Sequence, residues 1–205
     1  ASLRFLRIMP LLERAAGVGF LQDHQMIVSL DRGVVSAPQG GLVNAAGTSF
    51  VILDTRIKGG DGQVSLALDS SITALMSLLD VEPLRLISKA GQSVTLADGR
   101  GSVSGSLQFP LRKGVPPNQI KFDVAATLRD VRSQTLIKDR DLRASRLALA
   151  ADNAGLQISG PVTLDGIAAN GSWNQRFGAA GRGRSQVVAD MALSQATLDT
   201  FKIAL

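Results

Sequence analysis

The sequence predicts a mainly β fold: an antiparallel curved sheet or meander, either an open groove or sandwich-like, with one or two short helices near the middle. Three observations carry this. Apolar and polar residues alternate over long stretches, most clearly from Leu147 to Trp173, which is the period-two signature of a half-buried strand. The 21 glycines in 205 residues exceed the average of roughly 7% and read as turns and bulges between strands. Aromatics make up only 4% and Tyr is absent, so Leu, Val, Ile and Ala must do the packing.

Taken in order, Ser2–Pro10 is expected to be extended and 11–16 a short helical turn, with extended chain resuming at Gly17. Gln25–Leu30 reads as a strand, Asp31-Arg32-Gly33 as a turn and Val34-Val35 as the return strand. Thr48–Ile57 is β-branched and aromatic, and a Gly-rich stretch, Lys58–Gly62, separates it from the alternating Val64, Leu66 and Leu68. The period then changes. Ile72, Leu75, Met76 and Leu79 fall at helical spacing behind Ser70 and Ser71, either of which suits an N-cap, and Pro83 lies beyond the end. A second short helix is expected over 84–90, stopped by Gly91.

Period two returns with Val103, Leu107, Phe109 and Leu111, and with Ile120, Phe122, Val124, Ala126 and Leu128 across a Lys113–Asn118 turn. Leu147, Leu149 and Ala151 turn at 152–155 into Leu156, Ile158, Gly160, Val162 and Leu164. Asp165-Gly166 is a hairpin dipeptide before Ile167–Trp173. Gly178–Arg184 reads as a basic loop, Val187–Leu193 as a last strand, and 195–205 as the start of a helix or strand. The expected organisation is a 1–91 β subdomain ending in the helical insertion, then a 92–205 antiparallel meander, together a section of a larger protein.

Composition argues against most chemistry. There is no Cys, which excludes disulfides and Cys-ligated zinc. No apolar run approaches the ~20 residues of a membrane helix. The net charge of +5, from 22 basic and 17 acidic residues, is milder than a dedicated nucleic-acid domain carries, so no nucleic-acid partner is expected. The single His24 lies between Asp23 and Gln25, and a Ser nucleophile would need an aligned base that the sequence does not mark. Asp139 and Asp141 flank Arg140 and read as a solvated loop, without calcium-loop spacing. Gly99–Gly105 lacks the following helix that a nucleotide-binding loop requires. The Arg182-Gly183-Arg184 loop lacks interleaved aromatics, and Trp173 reads as a packing residue. No catalytic residue, metal ligand or cofactor is expected. A glycan-acting enzyme would need two carboxylates facing each other across a cleft at ~5–9.5 Å.

What remains is extensive apolar surface with few polar handles. A packed core accounts for it, and so does an acyl-chain groove: each buried methylene contributes about 0.8 kcal/mol, so a dozen would supply about 10 kcal/mol with no hydrogen-bond code.

Several local segments resemble the AsmA-like envelope proteins of Gram-negative bacteria, and within them the YhdP branch. Met26–Val35 resembles the family's strand–DG–strand unit and Phe50–Arg56 the segment after it. Ala74–Leu86 is similar to its short helix and D-x-P-L motif, Gly101–Leu111 to its G-x-x-x-x-F-P-L strand, and Leu142–Gly160 with Ile167–Phe177 to its closing hairpins. The resemblance implies a repeating β-groove with an apolar concave face, in the periplasmic part of a protein anchored in the inner membrane by a helix outside this chain. It implies phospholipid as partner, carried or bridged between inner and outer membranes, and no catalytic residues. Under it, the lipid-groove candidates are Phe109, Phe122, Val124, Leu147, Leu149, Leu156, Ile158, Val162 and Leu164. The alternative is a structural or assembly module that binds protein partners without a ligand. Exposed sheet edges invite self-association under either reading.

Overall fold

Short polar connections force each strand to fold back on its predecessor, and the chain does so throughout. The computed structural model describes residues 11–82, 85–178, 185–192, 194 and 197–198. The strands are β1 (Leu12–Gln22), β2 (Gln25–Ser36), β3 (Leu42–Asn44), β4 (Ser49–Ile52), β5 (Asp61–Ser71), β6 (Asp98–Pro110), β7 (Lys121–Ser133), β8 (Leu142–Asp152), β9 (Gly155–Leu164), β10 (Ile167–Arg176) and β11 (Ser185–Met191). All belong to one antiparallel sheet in chain order, with β3 and β4 lying end to end between β2 and β5. The mainly β, antiparallel expectation is what the fold shows. Ser2–Pro10, Pro83, Leu84, 179–184 and most of 195–205 lie outside the described residues.

The sheet does not pause at residue 91, because β5 and β6 pair without interruption from Asp61↔Pro110 to Ser71↔Arg100. Between them lie α1 (Ile72–Leu79) and α2 (Leu86–Lys89). Ser71 caps α1 by accepting from the Ala74 N–H at 3.1 Å. Gly91, with φ of +71°, ends the second helix.

Three local expectations are corrected. Residues 12–16 are strand rather than a helical turn, and Leu12 is buried. Asp31-Arg32-Gly33 does not turn; β2 runs through it. The reason is packing: a Cβ at Gly33 would stand 2.9 Å from Leu12 Cδ1, so this glycine makes room for a neighbour. The real turn is Asp23-His24, both at positive φ, with Gln22 opposite Gln25. The β-branched run from Thr48 is also cut short: β4 ends at Ile52, and Asp54 turns the chain by accepting from the Arg56 N–H at 3.0 Å.

The register places apolar residues on one face. Gly105, Leu107 and Phe109 share it with Val64 and Leu66 of β5, and with Phe122 and Val124 of β7. A second period-two set, Leu142 and Ala144, is out of phase with Leu147 in sequence. The structure restores the phase at Asp130, whose φ of +53° lets Leu128 and Val131 stay on one side while Ala144 and Leu147 do the same across the strand pair.

Glycines that interrupt the strands fall on this apolar parity. Gly105, at φ +154°, would drive a Cβ to 2.3 Å from the Asp123 carbonyl oxygen. Gly101 makes room for α1, since its Cβ would lie 2.7 Å from Leu75 Cδ1. Side chains left out of one face allow a large sheet to bow toward that face. The core lies beneath α1: Ile72, Val131, Ala144 and Leu147, with Met76, Leu128, Ile158 and Val162 packed against them.

Leu147 is buried in that core, while its strand neighbour Leu149 is only half-buried. Leu147→Ala is expected to cost about 3 kcal/mol and Leu149→Ala about half as much, measured by urea denaturation. Equal costs would mean that the face is sealed along its whole length.

Candidate functional site

All nine lipid-groove candidates project from the same face. Phe122 stands opposite Leu107, next but one to Phe109 on β6. Val124 pairs with Ala151, Ala151 with Leu156, and Leu149 with Ile158. Leu147 lies opposite Leu128 on β7, whereas Val162 and Leu164 face Ala169 and Ile167 of β10. They do not converge on one pocket; they form a strip across β6–β9. Phe109 and Leu147 are buried and the other seven are half-buried.

Length decides how much of this face α1 can cover. Its 8 residues span about 12 Å, whereas the 13-residue strands β6 and β7 run about 43 Å. The helix packs on β3, β5 and β6, at the Gly101 end. Away from it, Phe109 is buried, while Phe122, Val124, Leu149 and Leu156 are flanked by strand neighbours and keep part of their surface in water.

The opposite face carries small and polar residues. Two open depressions lie on it. One, of about 740 Å³, is lined by Arg143, Ser145, Pro161, Thr163 and Asn170 among others, beside the irregular pairing of β8 with β9. The other, of about 560 Å³, runs along Ser102, Ser104, Ala125, Thr127, Ala148 and Ala150. Hydroxyls and methyl groups line both, joined in the first by Arg143 and Asp190.

At its α1 end this face carries an ionic cluster, while Lys121, Asp123 and Asp152 stand at the other end. Asp69 accepts from the Ser102 hydroxyl at 2.7 Å and from the Arg100 guanidinium. Arg129 reaches toward them, donating to Ser102 Oγ at 3.3 Å. The Ser102 hydroxyl first, and Arg100 next, hold the Asp69 carboxyl below its usual range. Sequence inspection missed this cluster because its members come from three strands and meet only through register.

The residues weighed for chemistry stand apart. His24 sits in the β1–β2 turn, where its carbonyl oxygen accepts from the Thr55 N–H at 2.8 Å. Asp141 Oδ2 accepts from Arg143 Nε at 2.7 Å. Gly99–Gly105 lies within β6. Trp173 Nε1 donates to Ser185 Oγ at 2.6 Å, which ties β10 to β11. Among the described residues, no three His, Cys, Asp or Glu side chains group to hold a metal ion. Nor is any described helix long and apolar enough to cross a membrane.

No family model, curated protein or solved structure matches the chain. Its function must therefore be argued from the faces of the sheet.

The depressed pKa of Asp69 gives a sign for acid stability. A carboxyl lowered on folding contributes stability above its ordinary value near 3.9, and loses it as pH falls through the folded value. Asp69 is partly exposed, so Asp69→Asn is expected to cost less than about 1 kcal/mol at pH 7. The gap to the parent protein should shrink below pH ~4, read from urea midpoints; an unchanged gap at acid pH would show that the carboxylate contributes nothing.

Proposed function

We propose that this chain is a non-catalytic section of an AsmA/YhdP-like envelope protein, whose apolar sheet face binds or guides phospholipid acyl chains between the inner and outer membranes. The observation that carries the reading is the continuous apolar parity across β6–β9, where, among the described residues, α1 covers the Gly101 end and seven of the nine candidate side chains are half-buried. Acyl chains need apolar area and little else. The face supplies that with Val, Leu, Ile and Phe side chains that retain exposed surface. The local resemblances of Met26–Val35, Ala74–Leu86 and Gly101–Leu111 support the same family. Under it the chain works in the periplasm, as part of a protein held in the inner membrane by an anchor outside this sequence, with phospholipid as its partner and no cofactor.

A second reading, an assembly module that binds protein partners without a ligand, draws on the sheet edges. β1 ends the sheet with Phe20 62% and Leu21 72% exposed, and β11 ends it with Val187 70% exposed. Among the described residues no strand pairs on the outer side of either edge, and neither β1 nor β11 contains a Pro or Lys that would discourage strand addition.

Native mass spectrometry of the purified chain is expected to show co-extracted phospholipid. After delipidation, the protein should bind a fluorescent fatty-acid probe, and Val124→Asp with Ile158→Asp should weaken that binding at least tenfold. Delipidated protein that never takes up an acyl probe would remove this reading. For the edges, Phe20→Lys with Leu21→Lys is expected to abolish concentration-dependent self-association in sedimentation velocity. Unchanged association would place the contact elsewhere.

A further inference from the structure

Five arginines on the polar face line up across adjacent strands at the α1 end. Arg100 stands opposite Arg129, and Arg129 opposite Arg146. One step nearer the strand ends, Arg132 stands opposite Arg143. All five are exposed. Like charges directly opposite on a sheet destabilise it, and the same face shows the neutral solution at Ser102, Ser104, Thr127 and Thr163. Two of the five are compensated, Arg100 by Asp69 and Arg143 by Asp141. Among the described residues, no carboxylate lies within ion-pair distance of Arg129, Arg132 or Arg146, although Asp98 stands across from Arg132.

The rim beside this ladder is apolar at its tips. The loop after β7 exposes Leu136 and Ile137, and the α1–α2 segment exposes Leu79 and Leu86. The loop after β7 is pinned to the connection between α2 and β6. The buried Ser133 hydroxyl donates to the Leu96 carbonyl oxygen at 2.6 Å and accepts from the Leu136 N–H at 2.9 Å. Leucine and isoleucine tips on a pinned rim, with guanidinium forks beside them, are the two components of interfacial membrane binding. Arginine rather than lysine is suited to bidentate contact with phosphate.

We propose that the α1-end rim is a docking surface for a bilayer bearing anionic phospholipid. The ladder (Arg129, Arg132, Arg146) contacts lipid phosphates, and Leu136 and Ile137 enter the interface. The ladder is flat and spans about 10 Å over three strands, so it fits an extended anionic surface better than one enclosed phosphate. The proposal stands on the face opposite the apolar strip and does not depend on that strip holding lipid.

The test is flotation of the full chain with vesicles of phosphatidylglycerol and phosphatidylcholine, against phosphatidylcholine alone. Binding is expected only with the anionic lipid, and it should weaken steeply with salt. Arg129→Gln/Arg132→Gln/Arg146→Gln is expected to weaken partition roughly a hundredfold, from the energy of about three charges near an anionic surface. Leu136→Ser/Ile137→Ser should lower it by at least fivefold. Lys58→Gln/Lys113→Gln/Lys121→Gln, elsewhere on the chain, should change it less than threefold. Removing cross-strand repulsion should leave the thermal midpoint of the arginine variant at or above the parent value; if that variant is destabilised, Arg146→Gln alone is used, with a loss of about fivefold expected. Equal binding to both vesicle types, an unaffected arginine variant, or an equal loss in the lysine variant would overturn the proposal. So would saturable binding of inorganic phosphate that fully displaces the vesicles, which would assign the ladder to a free anion. Acyl-probe uptake by the arginine variant should be unchanged, so failure of the docking surface and failure of the apolar strip are read separately.

Discussion

The uninterrupted pairing of β5 with β6 is the constraint on which the rest depends. It joins the first strands to the meander across the helical insertion, and it fixes which parity of every later strand faces which side. Because each strand is locked to its neighbour, one polar–apolar choice made here propagates to β11. A slip of one residue would exchange the faces of everything downstream. The sheet tolerates bulges only in forms that preserve the choice, as at Asp130, where both strands of the pair take the extra residue together.

The consequence is a molecule with unequal faces. Among the described residues, the apolar side receives the two-turn helix α1, seated where Gly101 lacks a side chain. That end therefore acquires a true core under Ile72, with Val131, Ala144 and Leu147. Farther along the strands Phe109 is buried as well, while Phe122, Val124, Leu149 and Leu156 remain half-buried. The α1 end thus holds the larger part of the core, and these four side chains keep apolar surface that folding has not covered.

Much of this is legible in the sequence where one signal dominates. The alternation from Leu147 to Leu164 is long and unbroken, so its strands and Asp165-Gly166 turn can be read directly. The α1 segment is equally plain, because helical spacing and a capping Ser71 agree. Gly33 misleads because a glycine after Asp-Arg looks like a turn, whereas its role is to accommodate Leu12 from the preceding strand. Asp130 is invisible because a positive φ at an aspartate leaves no mark in composition. The nine apolar candidates can be assigned to strand faces one strand at a time, but that they share one face follows only from register. The arginines scatter in sequence and become a ladder only once β6, β7 and β8 are aligned.

The strand order carries a geometric consequence. Because β3 and β4 share one lane, the sheet is ten lanes wide among the described residues. An even number of alternating lanes leaves the two outermost strands, β1 and β11, running in opposite directions. A second sheet of the same plan, displaced sideways without rotation, would meet β11 with an antiparallel β1 and present its apolar side in the same direction. Odd-numbered units would meet parallel, or would have to invert. This plan is thus a tile: copies or related sections laid edge to edge would widen one apolar face by about 48 Å each, with no change of hand and no reversal of face.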